Sequence, residues 1–335
     1  MIKIYHFSLS QKMGVKYLNR HLVSSCKNEI VLTHMSELSG KNIVVDISIY
    51  LYKFQMSASL IENMYIMLSL FEKYQIVPIF IFDGKPPPEK RKMLNRRYAE
   101  RVNAESEYTQ LCDKLENGEL NSCEKRALMN DIHILKRKCV YVTKSEIEVV
   151  QRLITAYGFT YCQAPSEADE LCSLFVKKGI AWACLSEDMD MFVHATPRVL
   201  RYLSLINNTF VLYDTKSILN KLGVTQSEFI MLCVLSGTDY NIEQETNICE
   251  LFQLFEKFKD HRKINPSVPF IDWAHRNEGL IVHDSQQLVD AMAMFSNTSS
   301  KCLSVVETSG CFRHDKQDGK IKEILEEDGF VYPVC

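Results

Sequence analysis

The sequence predicts an α/β fold, a mainly parallel central sheet flanked by helices and interrupted by a helical insertion. Three observations carry this expectation. Apolar, β-branched runs recur with little alternation, as in strands buried on both faces. Helix-like segments lie between those runs, as βαβ units require. One highly charged stretch, residues 89–140, is poor in β-branched residues and interrupts the pattern.

In chain order, KNIVVD (41–46) is the first expected strand and IVPIFIFD (76–83) the second, with a helix-like stretch at 49–73 between them. Residues 89–140 read as two helices standing off the sheet, broken near Glu116-Asn117-Gly118-Glu119. A helix at 144–157 leads to the strand FTYCQA (159–164), and a helix at 166–178 leads to IAWACL (180–185). VLRYL (199–203) is a further strand and 225–236 a further helix. From about residue 262 the tail is mixed, with Pro266, Pro269 and scattered glycines. The expected organisation is an N-terminal extension (1–12), the first part of a core (13–88), a helical cap (89–140), the internal part of the core with a divergent region (141–260) and a divergent C-terminal region (261–335).

With 335 residues, 46% of them hydrophobic and 24% charged, the chain can build a core without staples. No apolar run approaches the ~18 residues needed to cross a bilayer. The start, MIKIYHFSLSQK, lacks the apolar core and cleavage site of a secretory signal. An intracellular protein is expected. Its twelve cysteines are scattered singly without a Cys-x-x-Cys pair, so buried reduced thiols are expected. Cys311 with His314, plus distant Cys302 and Cys335, lacks the spacing of a zinc cluster.

Carboxylates follow the expected strands. Asp46 follows NIVV, Asp83 follows IVPIFIF, Glu167 and Asp169 follow FTYCQA, and Asp188 and Asp190 follow IAWACL. Asp239 follows the apolar stretch MLCVLSGT. In open α/β sheets the carboxyl ends of the strands form the ligand edge. Each acid also has a bland explanation. Ser166 to Asp169 fits a capping box, Asp83-Gly84 fits a turn, and Asp188 with Asp190 could open a short helix. One shared cause covers them all: clustered carboxylates neutralise a cation. An oxygen-only donor set suits Mg²⁺ or Mn²⁺, and seven acids suit two ions rather than one. Glu187 reads as a solvated neighbour of the Asp188 pair.

The net charge of −3 does not advertise nucleic-acid binding, but its distribution is uneven. Residues 85–101 hold seven bases (Lys85, Lys90, Arg91, Lys92, Arg96, Arg97, Arg101) against two acids. Such a stripe is either a phosphate contact or a solvated helix face.

The order and spacing of these motifs resemble the flap endonuclease and xeroderma pigmentosum group G-like family of structure-specific 5′ nucleases. The segments are MGVKYL (13–18), VVDISIYLY (44–52), FDGKPP (82–87), APSEADE (164–170), SEDMDMF (186–192) and LSGTDY (235–240). The resemblance implies a PIN-like nuclease core and two Mg²⁺ ions, for which Mn²⁺ can substitute. It also implies 5′ cutting of branched or flapped DNA at single-strand to double-strand junctions, in replication, repair or recombination. It assigns metal ligation to Asp46, Asp83, Glu167, Asp169, Asp188, Asp190 and Asp239, although Asp169 stands where the family more often has Glu. It places Lys90 and Arg97, seven residues apart, on the scissile phosphate, and Tyr52 against a base. Lys85, Arg91, Arg96 and Arg101 are the further expected DNA contacts. The 89–140 insertion resembles the arch that a single-stranded 5′ end passes through.

A monomer in the nucleus or another DNA-replication compartment is expected. The family pattern starts at a Met-Gly close to the active site, here Met13-Gly14, so residues 1–12 are expected to be dispensable. Two departures stand out. No glycine occurs from 238 to 278, where the family carries a Gly-rich hairpin that holds duplex phosphates with a potassium ion. The tail GKIKEILEEDGFVYPVC contains no clamp-binding peptide. An RNA-cleaving two-metal nuclease and a catalytically inactive branched-DNA scaffold are the alternatives.

Overall fold

The computed structural model describes residues 14–118, 121–296, 299–308 and 312–331. The extension 1–12, Cys311 and Cys335 lie outside them. The strands are Ile30–His34 (β1), Asn42–Asp46 (β2), Val77–Phe82 (β3), Thr160–Gln163 (β4), Ala183–Leu185 (β5), Arg198–Ser204 (β6) and Thr209–Asp214 (β7). All five runs expected as strands are strands, and β1 and β7 are additions. The chain divides into two compact units. One, the cap unit, contains His34–Ala168, Ser204–Asn208 and the described part of Ser309–Cys335. The companion unit contains the described parts of Met1–Thr33, Asp169–Leu203 and Thr209–Thr308.

In the cap unit, β2, β3 and β4 pair in parallel, with Val44 opposite Ile79 and Ile81 opposite Cys162. Ile43, Val44, Val45, Ile79, Phe80 and Ile81 are all buried, which explains why these runs do not alternate. The crossover from β2 to β3 is made of two helices, Ile47–Gln55 and Leu60–Lys73. The single expected helix breaks at Ser57–Ser59, where Ala58 adopts φ 53°. Helix Lys144–Ala156 starts at a Thr143–Glu146 capping box and buries Val150, Leu153 and Ile154. Glu146 also accepts a 2.6 Å hydrogen bond from Gln55, tying that helix to Ile47–Gln55. The C-terminal segment returns to this unit. His314 donates its N–H to Gly158 O at 2.8 Å, and helix Asp318–Glu327 carries Glu327 to a bidentate contact with Arg152.

The insertion is a helical hairpin, Arg91–Asn117 and Ser122–Lys138. Asn121 and Glu124 form a capping box at the start of the second helix. Only Met93, Ala104, Leu128 and Leu135 are buried along the two helices.

In the companion unit the strand order is β1-β7-β6-β5. β5 and β6 are parallel, with Leu185 opposite Leu200. Helix Gln226–Leu235 begins at a Thr225–Glu228 capping box and is apolar on most of its surface, as a core helix must be. The tail from residue 262 is more regular than expected. Helices Ile248–Ile264 and Phe270–Glu278 meet through Phe255, Phe258, Phe270 and Trp273, with ring centroids 5.1–6.4 Å apart. Helices Ser285–Ser296 and Ser300–Thr308 complete the unit. The ten cysteines within the described residues are all free. Burial pushes the Cys26 thiol up to about 11 and the Cys302 thiol up to about 12, so both stay protonated and unreactive at neutral pH. Among the described residues no single helix is long and apolar enough to cross a membrane.

So few buried side chains leave the cap hairpin held mainly by its own helical hydrogen bonds, and such elements open first. In native-state hydrogen exchange, amides of residues 105–118 and 121–130 are expected to open at a free energy at least about 3 kcal/mol below those of β2 and β3. Equal protection would show that the cap is part of the cooperative core.

Candidate acid centre and its basic flank

In the cap unit, the Asp-Gly after β3 and the Ala-Pro-Ser-Glu after β4 are clamped together through their backbones. Gly84 donates its N–H to Ser166 O at 2.6 Å. A Cβ on Gly84 would stand 2.0 Å from Ala164 O, so the approach is closed to every other residue. Gln163 Nε2 donates to Asp83 O. Asp83-Gly84 is therefore more than a turn: it brings Asp83 beside the segment that carries Glu167. Asp83 Oδ1 accepts the N–H of Ala168 at 2.8 Å, at the start of helix Ala168–Lys177. A carboxylate retains further acceptor capacity after one such bond. Lys90 Nζ lies 2.7 Å from Glu167 Oε1, and Lys90 is only 4% exposed. Asp46, at the end of β2, is 3% exposed, and its side chain does not cap the helix that follows.

The basic flank starts here. Lys90 sits in a 3-10 turn, Pro88–Lys90, immediately ahead of helix Arg91–Asn117, and Arg97 lies within that helix, half-buried. Tyr52 is 41% exposed. Partial burial raises its phenol, Tyr141 and Asp83 add to the rise, and Arg101 and Arg97 oppose it. Tyr52 thus shares its surroundings with one candidate acid and two candidate bases. Lys85, Arg91 and Arg96 are exposed, and Arg96 is engaged with Glu100 at 3.1 Å.

In the companion unit the Asp188 pair folds as a tight turn after β5. Asp188 donates its N–H to Ser186 Oγ at 3.1 Å, and Asp188 Oδ1 accepts the N–H of Asp190 at 2.9 Å. Asp190 opens the short helix Asp190–Val193 and is 1% exposed. Gly14, at φ 66°, lies against both acids, and a Cβ there would sit 2.5 Å from an Oδ1 of each. Gly14, the start of the family-like pattern among the described residues, is therefore packed against Asp188 and Asp190. Asp169 lies in the first turn of helix Ala168–Lys177. Asp239 is half-buried beyond helix Gln226–Leu235. That helix also carries Cys233, whose thiol is pushed well up by burial and then by Asp190.

Glu187 corrects the sequence reading. It is buried rather than solvated, at 7% exposure. Its Oε1 accepts the N–H of Tyr202 at 2.9 Å, and its Oε2 lies 3.9 Å from Arg201 Nε. Arg201 also donates to Glu187 O at 2.7 Å and to Asn19 Oδ1 at 2.6 Å. Burial works against the charge on Arg201, but Tyr202, Tyr213, Glu187 and Asp188 outweigh it, so the guanidinium stays charged. Among the described residues, no three His, Cys, Asp or Glu side chains are already arranged to hold one ion.

Two family models match this chain: the XPG N-terminal domain over residues 13–104 and the XPG I-region over residues 158–239. Together they span just over half of it. The chain belongs to the flap endonuclease and XPG-like family. Flap endonuclease 1 of Glycine max is 29% identical over 247 residues, an alignment that covers 68% of this chain but 62% of that enzyme. The enzyme of Saccharomyces cerevisiae strain S288c is 28% identical over 285 residues, covering 79% of this chain and 70% of the relative. Among solved structures, the catalytic core of Rad2 in complex with DNA substrate has a TM-score of 0.66 at 19% identity, covering 94% of this chain and 95% of Rad2. Human GEN1 in complex with Holliday junction DNA has a TM-score of 0.61 at 18% identity, covering 94% of this chain and 73% of GEN1. These likenesses establish the fold.

Sequence reasoning missed three features of the site: Lys90 buried on Glu167, Gly84 as a backbone clamp and the Glu187–Arg201 pair. The last left a signal. An Arg inside the apolar strand RVLRYLS needs a buried anion, and Glu187, two residues past the end of β5, is one of the acids at hand. Removing one member of a buried ion pair strands the other. Glu187→Ala is therefore expected to lower unfolding free energy by about 3–5 kcal/mol in denaturant titration. Arg96→Ala, on the exposed cap helix, is expected to cost about 0.5 kcal/mol or less. Equal effects would return Glu187 to the surface.

Proposed function

We propose that this chain is a divalent-cation-dependent, structure-specific DNA nuclease, an endonuclease or 5′ exonuclease that cuts at single-strand to double-strand junctions in replication, repair or recombination. The observation that carries the reading is the clamp that gathers Asp83, Glu167 and Lys90 at the carboxyl ends of β3 and β4, beside a basic helix. Membership of a family of flap endonucleases supports it. So does the kinship in fold with Rad2 and GEN1, which were solved with branched or substrate DNA.

The donor set fits a hard cation. It is all oxygen, Asp188 and Asp190 flank one small space beside Gly14, and Glu167 already accepts an ammonium. A GEN1 structure was solved with product DNA and Mg²⁺. Asp46, Asp83, Glu167, Asp169, Asp188, Asp190 and Asp239 would hold two Mg²⁺ ions, or Mn²⁺ in their place. When bound, such ions supply an activated water and charge stabilisation on the attacking and leaving oxygens. The chain's own side chains do the rest. Lys90 and Arg97 offset charge on the transferring phosphate group. Tyr52 stacks on a base near the cut. Lys85, Arg91, Arg96 and Arg101 hold the strand's phosphates, and the cap admits an unpaired 5′ end. The protein acts as a monomer, in the nucleus or another compartment where DNA is replicated.

The decisive experiment is cleavage of a panel of branched DNAs, and matching RNAs, with cut sites mapped. Cleavage of DNA is expected to require Mg²⁺ or Mn²⁺ and to stop with EDTA. Asp188→Asn is expected to abolish it while binding survives, because one repelling charge is gone. Lys90→Ala is expected to lower the single-turnover rate roughly 10²–10³-fold with little change in affinity. Retained cleavage by Asp188→Asn protein would sink the reading, and preferential cleavage of RNA would redirect it.

The 241–255 segment sets the second test. Its turn is stapled by side chains. Asn241 Oδ1 accepts from Thr238 N and Oγ1 at 2.9 and 2.6 Å, and Gln244 Nε2 donates to Ile281 O at 3.0 Å. Glu243, Glu245 and Glu250 are exposed on it. Acids beside phosphates repel them, so this segment anchors duplex poorly. Each phosphate contact contributes about −0.9 to the log–log salt slope. A shallow slope that does not change as the duplex arm is shortened is expected. So is equal activity in potassium and sodium at equal ionic strength. A steep slope that collapses on trimming would show that duplex anchoring persists.

A further inference from the structure

Two exposed tyrosines flank one arginine at the foot of the cap. Tyr98 is 63% exposed and Tyr141 55% exposed. The Arg101 guanidinium carbon lies 5.4 Å from the Tyr98 ring centroid and 5.3 Å from that of Tyr141. Tyr98 and Arg101 are three residues apart on helix Arg91–Asn117, so they share a face. Tyr141 comes from the other end of the insertion, after helix Ser122–Lys138, and its neighbour Val142 is 5% exposed, which anchors the segment. Glu105 Oε1 lies 3.4 Å from Arg101 Nε, an ion pair one turn along the same helix. The cluster adjoins Tyr52, whose phenol feels both Tyr141 and Arg101.

Rings this exposed cover little of the core, so core packing does not account for them. A guanidinium between two rings is bound by cation–π attraction and leaves outer aromatic faces open to flat partners. Nucleobases are such partners for aromatic faces, and the arginine adds a charge for the linking phosphates. The matched family models end at residue 104 and resume at 158, so Tyr141 falls outside both.

We infer that Tyr98, Arg101 and Tyr141 form a stacking platform for unpaired bases of a single-stranded DNA end, continuing the path that begins at Tyr52. The inference rests on the nuclease reading above and adds where the unpaired strand is held and what holds it. Stacking recognises any base, so the platform grips an unpaired strand without choosing its sequence.

The test is equilibrium binding in EDTA, where no cleavage occurs, to a duplex with a 5′ single-stranded tail. The tail carries either ordinary bases or tetrahydrofuran abasic residues, at unchanged phosphate charge. Wild-type protein is expected to bind the base-bearing tail roughly 5- to 100-fold more tightly than the abasic tail. The Tyr98→Leu, Tyr141→Leu double variant is expected to lose most of that difference while keeping its salt slope. Two results would overturn the platform and leave the nuclease reading standing: equal wild-type affinity for the two tails, or a difference that survives in the double variant. Absence of any binding to tailed or single-stranded DNA by wild-type protein would overturn both. The comparison of tails on wild-type protein is independent of how the variants fold.

Discussion

Charge cannot be buried without compensation, and this constraint organises the molecule around its acids. Asp46, Asp190 and Glu187 are 3%, 1% and 7% exposed. A carboxylate held at that depth must be met by a cation or by hydrogen-bond donors. The fold uses several solutions. Glu187 is met by the buried Arg201 and the backbone of β6. Glu167 is met by the ammonium of Lys90. Asp83 and Asp188 each accept a backbone N–H at the opening of a helix. The first solution is closed, because a guanidinium locked between Glu187 and Asn19 has no freedom to leave. The second and third are adjustable, since an amine on a flexible stem can move and a carboxylate with one hydrogen bond can accept more. That difference separates the acid that serves the fold from the acids suited to hold exchangeable cations.

Much of this arrangement was readable from the residues. β2, β3 and β5 are apolar runs without alternation, and burial on both faces is what produces such runs. The two cap helices follow from a charged, β-branch-poor stretch broken at Asn117-Gly118. β1 escaped because its pattern is inverted: Val31 and Leu32 are 51% and 54% exposed while Thr33 is 4% exposed, as an edge strand permits. β7 did leave a signal, since Asn207-Asn208 separates two β-rich runs and Asn208 adopts φ 54°, a hairpin turn of the kind asparagine favours. The positions of Asp46 at the end of β2 and of Asp83 and Asp188 just past β3 and β5 were readable too, because each follows an apolar run. Their individual partners were not. Lys90 on Glu167 joins segments far apart in sequence, and local pattern carries no record of it, whereas the arginine inside the apolar strand β6 did mark the need for an anion such as Glu187.

The Lys90–Glu167 pair ties the cap to the acids. Lys90 is the last residue of the turn from which the first cap helix departs, and it is buried with its ammonium on Glu167. The cap beyond it buries few side chains, so this foot is one of its firmest attachments. Any cation drawn to Glu167 competes with the Lys90 ammonium for the same carboxylate. Under the proposed function, cation loading at Glu167 and the position of the cap's foot would be linked through one group, and linkage of this kind runs both ways. An unpaired strand lying along Arg97, Arg101 and Tyr52 would bring phosphates beside Lys90. Those phosphates would offer the ammonium a second anion at the moment a cation claims the first. Such an exchange would need no movement of the strands, only a swing of one long side chain, and a lysine rather than an arginine would suit it. A rigid bidentate fork would hold Glu167 too firmly to share it.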